Sequence, residues 1–186
     1  MNNETIQLVS LVKRIDGDRG KNYPKADDLK AEGYCLFLDA GNVTADGFDF
    51  SDCHFITMEK SRLLRSGLLQ RGDFVITTRG SIGNVAHYDS DIPFDFVRIN
   101  SCMLILRPLP GANQLYLKAF FESPYFHAQL DRLTTGSAQP QITSEILDAI
   151  RVPSLIPEQE SRIGIFVAAL DRVIAINRQI NDNFAA

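Results

Sequence analysis

The last thirty residues most constrain what this chain can fold into. Ile163, Leu170, Asn177 and Phe184 recur every seven positions, and Phe166, Val173 and Ile180 recur at the same interval three positions later. Apolar residues spaced this way form the seam of a heptad helix. Pro157 stands where a first-turn proline is tolerated, and Glu158 and Glu160 complement the positive end of the helix. No glycine or proline follows Gly164, so the pattern predicts a helix of roughly 40 Å at about 1.5 Å per residue. Such a helix protrudes from a small domain unless something packs on it. The residues expected to pair are Ile163, Phe166, Leu170, Val173, Asn177, Ile180 and Phe184. Asn177, in an a-type position, lowers stability but favours one register or partner. A terminal amphipathic helix folded onto its own domain is the alternative, and the sequence leaves it open.

The remainder is large enough for one well-buried core and too small for two, at 186 residues and 45% hydrophobic for the whole chain. The expected division is a globular domain over 1–153 and a helical segment over 154–186. Ile6 to Ile15 starts a strand or short helix and runs into the turn-dense, polar segment Asp16 to Pro24. Tyr34 to Leu38 and His54 to Thr57 read as short buried strands. Met58 to Leu69 has roughly helical spacing and would project Lys60, Arg62 and Arg65 away from the core. Phe74 to Thr78, Asn84 to Tyr88 and Phe96 to Leu106 give three β-rich runs. Gln114 to Ser123 and Pro124 to Leu133 read as helices, and Thr143 caps a further one reaching Ile150. The predicted fold class is α+β: a curved, mainly antiparallel sheet with short helices, then a long coiled-coil-type helix.

The formal charge of -4 and pI near 5.3 argue against gripping nucleic acid by bulk charge. Local distribution softens that objection. Lys13 to Lys25 carries five basic residues against two acidic ones, and Lys60 to Arg79 carries five against one. Mixed solvated faces are the bland explanation of either cluster. No apolar run is long enough for a membrane span and the N-terminus lacks signal-peptide character, so a cytoplasmic protein is expected. Cys35, Cys53 and Cys102 are odd in number and unpaired in spacing, as expected of reduced core or strand residues.

Enzymatic chemistry finds little support. His54, His87 and His127 lie in no nucleophile motif, and adjacent strand residues such as Cys53 and His54 face opposite sides. Phosphate-binding signatures for nucleotides are absent. Asp16-Gly17-Asp18 lacks the later ligands of a calcium loop, and Asp46, Asp49 and Asp52 read as a turn entering a strand. The expectation is therefore no catalytic residue, no metal and no cofactor in this chain. The turn after Phe74 is different: Thr77, Thr78, Arg79, Ser81 and Asn84 surround glycines that let backbone approach a partner. Amide and hydroxyl groups suit phosphate oxygens, while Arg and Asn can bond two atoms of one base edge. Gly136 to Gln141 has the same polar, small-residue character, although fastening the domain to the last helix is its other reading.

Taken in order, RIDGDRGKNYPK, GDFVITTRGSIGNVAHY, RINSCMLILRP, GSAQPQIT and P-x-x-x-P-E-Q-x-x-R-I followed by heptads make the chain resemble the specificity subunit of type I restriction-modification systems, over nearly its whole length. The resemblance implies a target-recognition domain that reads one half of a split site in double-stranded DNA, and a helix that packs antiparallel on its counterpart. It also implies docking to methyltransferase and restriction subunits, which use S-adenosylmethionine, ATP and magnesium for adenine methylation and cleavage. The expected DNA contacts, chosen by chemistry and exposure, are Arg19, Lys21, Asn22, Tyr23 and Lys25 in the first loop, Thr78, Arg79, Ser81 and Asn84 in the second, and Arg98 and Asn100 on the next strand. A full specificity subunit carries two such domains and two helices. One of each here implies a half-subunit or a fragment, and a half-subunit would self-associate through the seam and read an inverted repeat. Two other readings stay open: the recognition part of a split or fused restriction-methylation enzyme, and an interaction module that binds the methyltransferase without reading DNA.

Overall fold

The computed structural model describes residues 4–134 and 141–185, apart from the side chains of 182, 183 and 185. Its centre is a four-stranded antiparallel sheet in the order β2 (Val12–Asp16), β10 (Met103–Pro108), β7 (Asp73–Thr77), β8 (Val85–Tyr88). All of β7 is buried, because both faces of this sheet are covered. The two-residue alternation of the strands sorts their side chains. Phe74, Ile76, Leu104 and Leu106 enter one hydrophobic cluster, and Val75, Ala86, Tyr88, Met103 and Ile105 enter another.

Three helices cover the first face: α2 (Gln114–Phe121), α3 (Pro124–Thr134) and α4 (Ser144–Ala149). Leu117, Phe120, Phe121, Phe126, Leu130 and Leu147 are their buried contributions. The expected signals hold: Pro124 occupies the first position of α3, and the Thr143 hydroxyl accepts from the Ile146 amide at 3.4 Å. The second face meets a three-stranded sheet of β6 (Phe55–Ile56), β3 (Cys35–Leu38) and β9 (Val97–Ile99), whose β3–β9 pair is parallel. A small hairpin, β4 (Val43–Thr44) with β5 (Gly47–Phe48), flanks β8, and β1 (Thr5–Gln7) pairs with β11 (Arg151–Pro153).

The α+β class and mainly antiparallel pairing agree with the sequence reading, but three segments differ in detail. Ile6 to Ile15 is β1, one 3-10 turn and β2, two strands of different sheets. Phe96 to Leu106 is β9 and β10, and the intervening Asn100 to Cys102 turn transfers the chain from one sheet to the other. The helix expected over 58–69 is the six-residue α1 (Met58–Leu63). Its continuation is blocked by the Asp18 carboxylate, which takes the Arg65 amide at 2.7 Å, and by Gly67, whose φ of +85° suits only glycine.

The last helix, α5 (Pro157–Ala185), follows the periodicity closely. Its inner face packs on α2 through the buried Gly164, and Asp171 pairs with Lys118. Further along, Arg178 reaches Asp46 of the β4–β5 hairpin at 3.0 Å. The heptad residues lie on another face and stay open: Phe166 is 64% exposed and Phe184 87%, with Ile163, Leu170, Val173, Asn177 and Ile180 also exposed. One face of α5 thus folds onto its own domain, and the heptad face stays exposed. No described helix is long and apolar enough to cross a membrane.

Candidate nucleic-acid interface

Antiparallel register brings the sequence-selected loops to one rim of the central sheet. Asp16 at the end of β2 faces Leu104, Met103 at the start of β10 faces Thr77, and Ile76 near the end of β7 faces Val85. The loop after β2, the β7–β8 turn and the turn before β10 therefore emerge side by side. The Asn100 amide donates to the Leu38 carbonyl at 3.0 Å, adding the end of β3 to the same rim. Ile142 donates its amide to the Thr78 carbonyl at 3.0 Å, so the end of the 135–142 connection arrives there too.

Within the first loop, Arg19 is exposed and its Nη2 donates to the Ser101 carbonyl at 3.2 Å, linking this loop to the turn before β10. Lys21 and Lys25 are exposed. Asn22 is half-buried and donates Nδ2 to the Leu63 carbonyl at 3.1 Å. Tyr23 is also half-buried, edge-on to Phe37 with ring centres 5.8 Å apart. These two residues hold the loop against α1 and β3 while the cations point outward.

In the β7–β8 turn, Arg79 and Ser81 are exposed, and Arg79 Nε lies 3.3 Å from Gln141 Oε1. Thr78 is buried, donating both its amide and its hydroxyl to the Cys102 carbonyl at 2.8 and 2.9 Å. Asn84 is half-buried and donates Nδ2 to the Val43 carbonyl at 3.0 Å. Asn100 turns its Oδ1 back to accept from the Cys102 amide at 2.8 Å. Of residues 136–141, only Gln141 lies within the described residues.

Arg98 calls for a correction. It is 6% exposed, and its guanidinium donates to Ser61 Oγ at 2.9 Å, the Ser66 carbonyl at 2.7 Å and the Leu64 carbonyl at 3.3 Å. Carbonyls at the end of a helix lack intrahelical partners, and a cation satisfies them. Arg98 anchors α1 to the sheet from inside and presents no donor to a ligand.

The sequence reading assigned no DNA contact to Arg65, whose side chain is 77% exposed at this rim yet tied to the buried Asp18. The signal was present only as one cation of a basic cluster, with its carboxylate 47 positions away. Arg71, from the same cluster, sits at the other end of β7, over the Tyr88 ring at 4.3 Å, and donates to the Ile92 and Phe94 carbonyls. The rim thus offers Arg19, Lys21, Lys25, Arg65, Arg79 and Ser81. Among the described residues no group of three or more His, Cys, Asp or Glu side chains is placed to hold a metal ion.

The sequence profile of the type I restriction modification DNA specificity domain matches residues 3–184. The chain belongs to that family. Solved structures give the same fold at low identity. A chain of the type I R-M system, solved to describe complex assembly and conformational transition, superposes with a TM-score of 0.68 at 15% identity, over 97% of this chain and 41% of that one. The HsdS subunit from Thermoanaerobacter tengcongensis gives 0.64 at 16% identity, over 95% and 39%. The type I S subunit from M. genitalium gives 0.64 at 16%, over 97% and 42%. The specificity-domain chain thus spans about two fifths of the length of these relatives. No curated protein sequence matches it.

Proposed function

We propose that this specificity domain reads one half of a split double-stranded DNA site through the rim, and performs no chemistry itself. The observation that carries the reading is the convergence of the loop after β2 and the β7–β8 turn, distant in sequence, which present Arg19, Lys21, Arg79 and Ser81 from one edge of the central sheet beside the turn before β10. Guanidinium, ammonium and hydroxyl donors on short, anchored loops suit phosphate oxygens and base edges together. The net acidic charge elsewhere limits non-specific attraction, so binding depends on this local patch.

The exposed heptad face of α5 is the pairing surface in this proposal. It takes either a second copy of this chain or the corresponding helix of a second recognition domain, and it sets the spacing between half-sites. A cytoplasmic methyltransferase subunit, with a restriction subunit, would carry out adenine methylation and cleavage using S-adenosylmethionine, ATP and magnesium. The test is selection of bound duplexes from a random DNA pool by the chain assembled with its methyltransferase. Enrichment of a split motif supports the reading. A stable complex that enriches no sequence overturns it in favour of a pure interaction module.

A further inference from the structure

Arg65 has its guanidinium aimed from beneath by a buried carboxylate, whereas the carboxylate that meets Arg19, that of Asp16, is exposed and makes a single 3.4 Å contact. Asp18 is 5% exposed and accepts from the Gly20 amide at 2.5 Å and the Arg65 amide at 2.7 Å. These backbone donors fix the carboxylate before any ligand arrives. Its two oxygens then receive Arg65 Nε and Nη2, each at 3.3 Å, along one side of the guanidinium plane. Gly20 makes room for this: a Cβ there would stand 2.5 Å from Arg65 Nη2 and 2.9 Å from Asp18 Oδ1.

An arginine carries five N–H donors in a rigid planar fork. With the Nε side engaged, one hydrogen each of Nη1 and Nη2 forms a free pair along the adjacent edge, and the second Nη1 hydrogen is also free. That pair matches the O6 and N7 acceptors of guanine in the major groove. The side chain is 77% exposed, so the edge faces solvent at the rim.

We propose that Arg65, oriented by Asp18 as a positioning residue, reads a guanine in the half-site. The proposal rests on the DNA-reading function above and names a base contact within it. A phosphate is the competing acceptor for the same fork, and charge decides against it. The Asp18 carboxylate neutralises Arg65, since hydrogen bonds and the charge of Arg65 hold its pKa down to about 2. A neutral pair releases few counterions from the DNA backbone, whereas its directional donors keep their value against a base edge. Arg79 and Lys21 have no carboxylate partner among the described residues and are better suited to phosphate.

The test compares wild type, Arg65→Ala, Arg65→Lys and Asp18→Asn, each as the full chain assembled with the methyltransferase, by random-pool selection and by affinity against salt. Both Arg65 variants should lose preference at one guanine by about 10- to 100-fold and keep every other position. The salt slope of Arg65→Lys, which keeps the charge of the pair, should match wild type. Asp18→Asn should relax the same position and steepen the slope by about one unit, because Arg65 then carries an uncompensated charge. Arg65 is exposed, so its variants keep the fold even where Asp18→Asn does not. A wild-type motif with no guanine lost in either Arg65 variant overturns this inference alone. Uniform weakening across sequences with a shallower slope makes Arg65 a phosphate contact and also overturns it. Absence of any wild-type motif overturns the DNA-reading function with it.

Discussion

Gly164 of α5 lies directly against Leu115 of α2, so that a Cβ on the glycine would stand 2.6 Å from Leu115 Cβ and 2.9 Å from the Tyr116 amide nitrogen. Two helix backbones approach this closely only where one side chain is missing. Gly164→Leu should therefore lift α5 from α2, and should destabilise the docked helix by about 1–3 kcal/mol through overpacking. Hydrogen exchange along 157–175 checks it. Faster exchange there, with β7 and β10 still protected, is the expected result.

The outer face of α5 predicts association. Phe166 and Leu170 are 64% and 47% exposed, and burying each such side chain gives about 1.5–3 kcal/mol. Phe166→Glu with Leu170→Glu should convert an α5-paired assembly into monomers by sedimentation, without lowering the melting temperature of the monomer. Sedimentation that does not change with these substitutions would remove α5 from the interface.

Arg98 should behave as part of the scaffold. Arg98→Met leaves the Leu64 and Ser66 carbonyls and Ser61 Oγ without their donor, and should cost about 3 kcal/mol, the scale for leaving buried polar groups unpaired. Chemical denaturation measures the loss. The fraction that remains folded should enrich the wild-type DNA motif.

His87 gives a pH dependence. It stacks on Phe74 at 4.5 Å beneath α5, beside a cleft of about 740 Å³, and no described group meets its buried Nε2. Burial pushes its pKa below 6.5. The folded state thus holds the proton less tightly than the unfolded chain, so this part of the stability is present above pH 6.5 and is lost as pH falls below it. His87→Phe should flatten that fall and add about 1 kcal/mol by removing the unsatisfied nitrogen. Melting curves across pH 5–8 decide it.

Local signals carried much of this fold. Pro124, Thr143 and Pro157 mark three helix starts where the structure has them, and the glycines at 80 and 83, with φ of +77° and +84°, turn β7 into β8. What stayed hidden depends on contacts distant in sequence. Nothing near Leu64 announces that Asp18 will take the next amide and end α1. Arg98 reads as a strand cation, and only the approach of α1 over β9 turns it inward. The sequence also places Asp18 and Arg65 in separate basic clusters, and folding makes them one unit. Residue chemistry thus located the rim, while long-range packing decided which of its side chains remain free.

The most direct measurement of the central claim is co-expression of this specificity domain with the methyltransferase subunit proposed for it, followed by sequencing that maps methylated adenines, repeated with Arg79→Ala and Arg65→Ala. Methylation should be confined to one split motif, with the motif relaxed at a single guanine in the Arg65 variant. A stable complex that methylates at no defined motif, or a motif indifferent to every rim substitution, would contradict that claim.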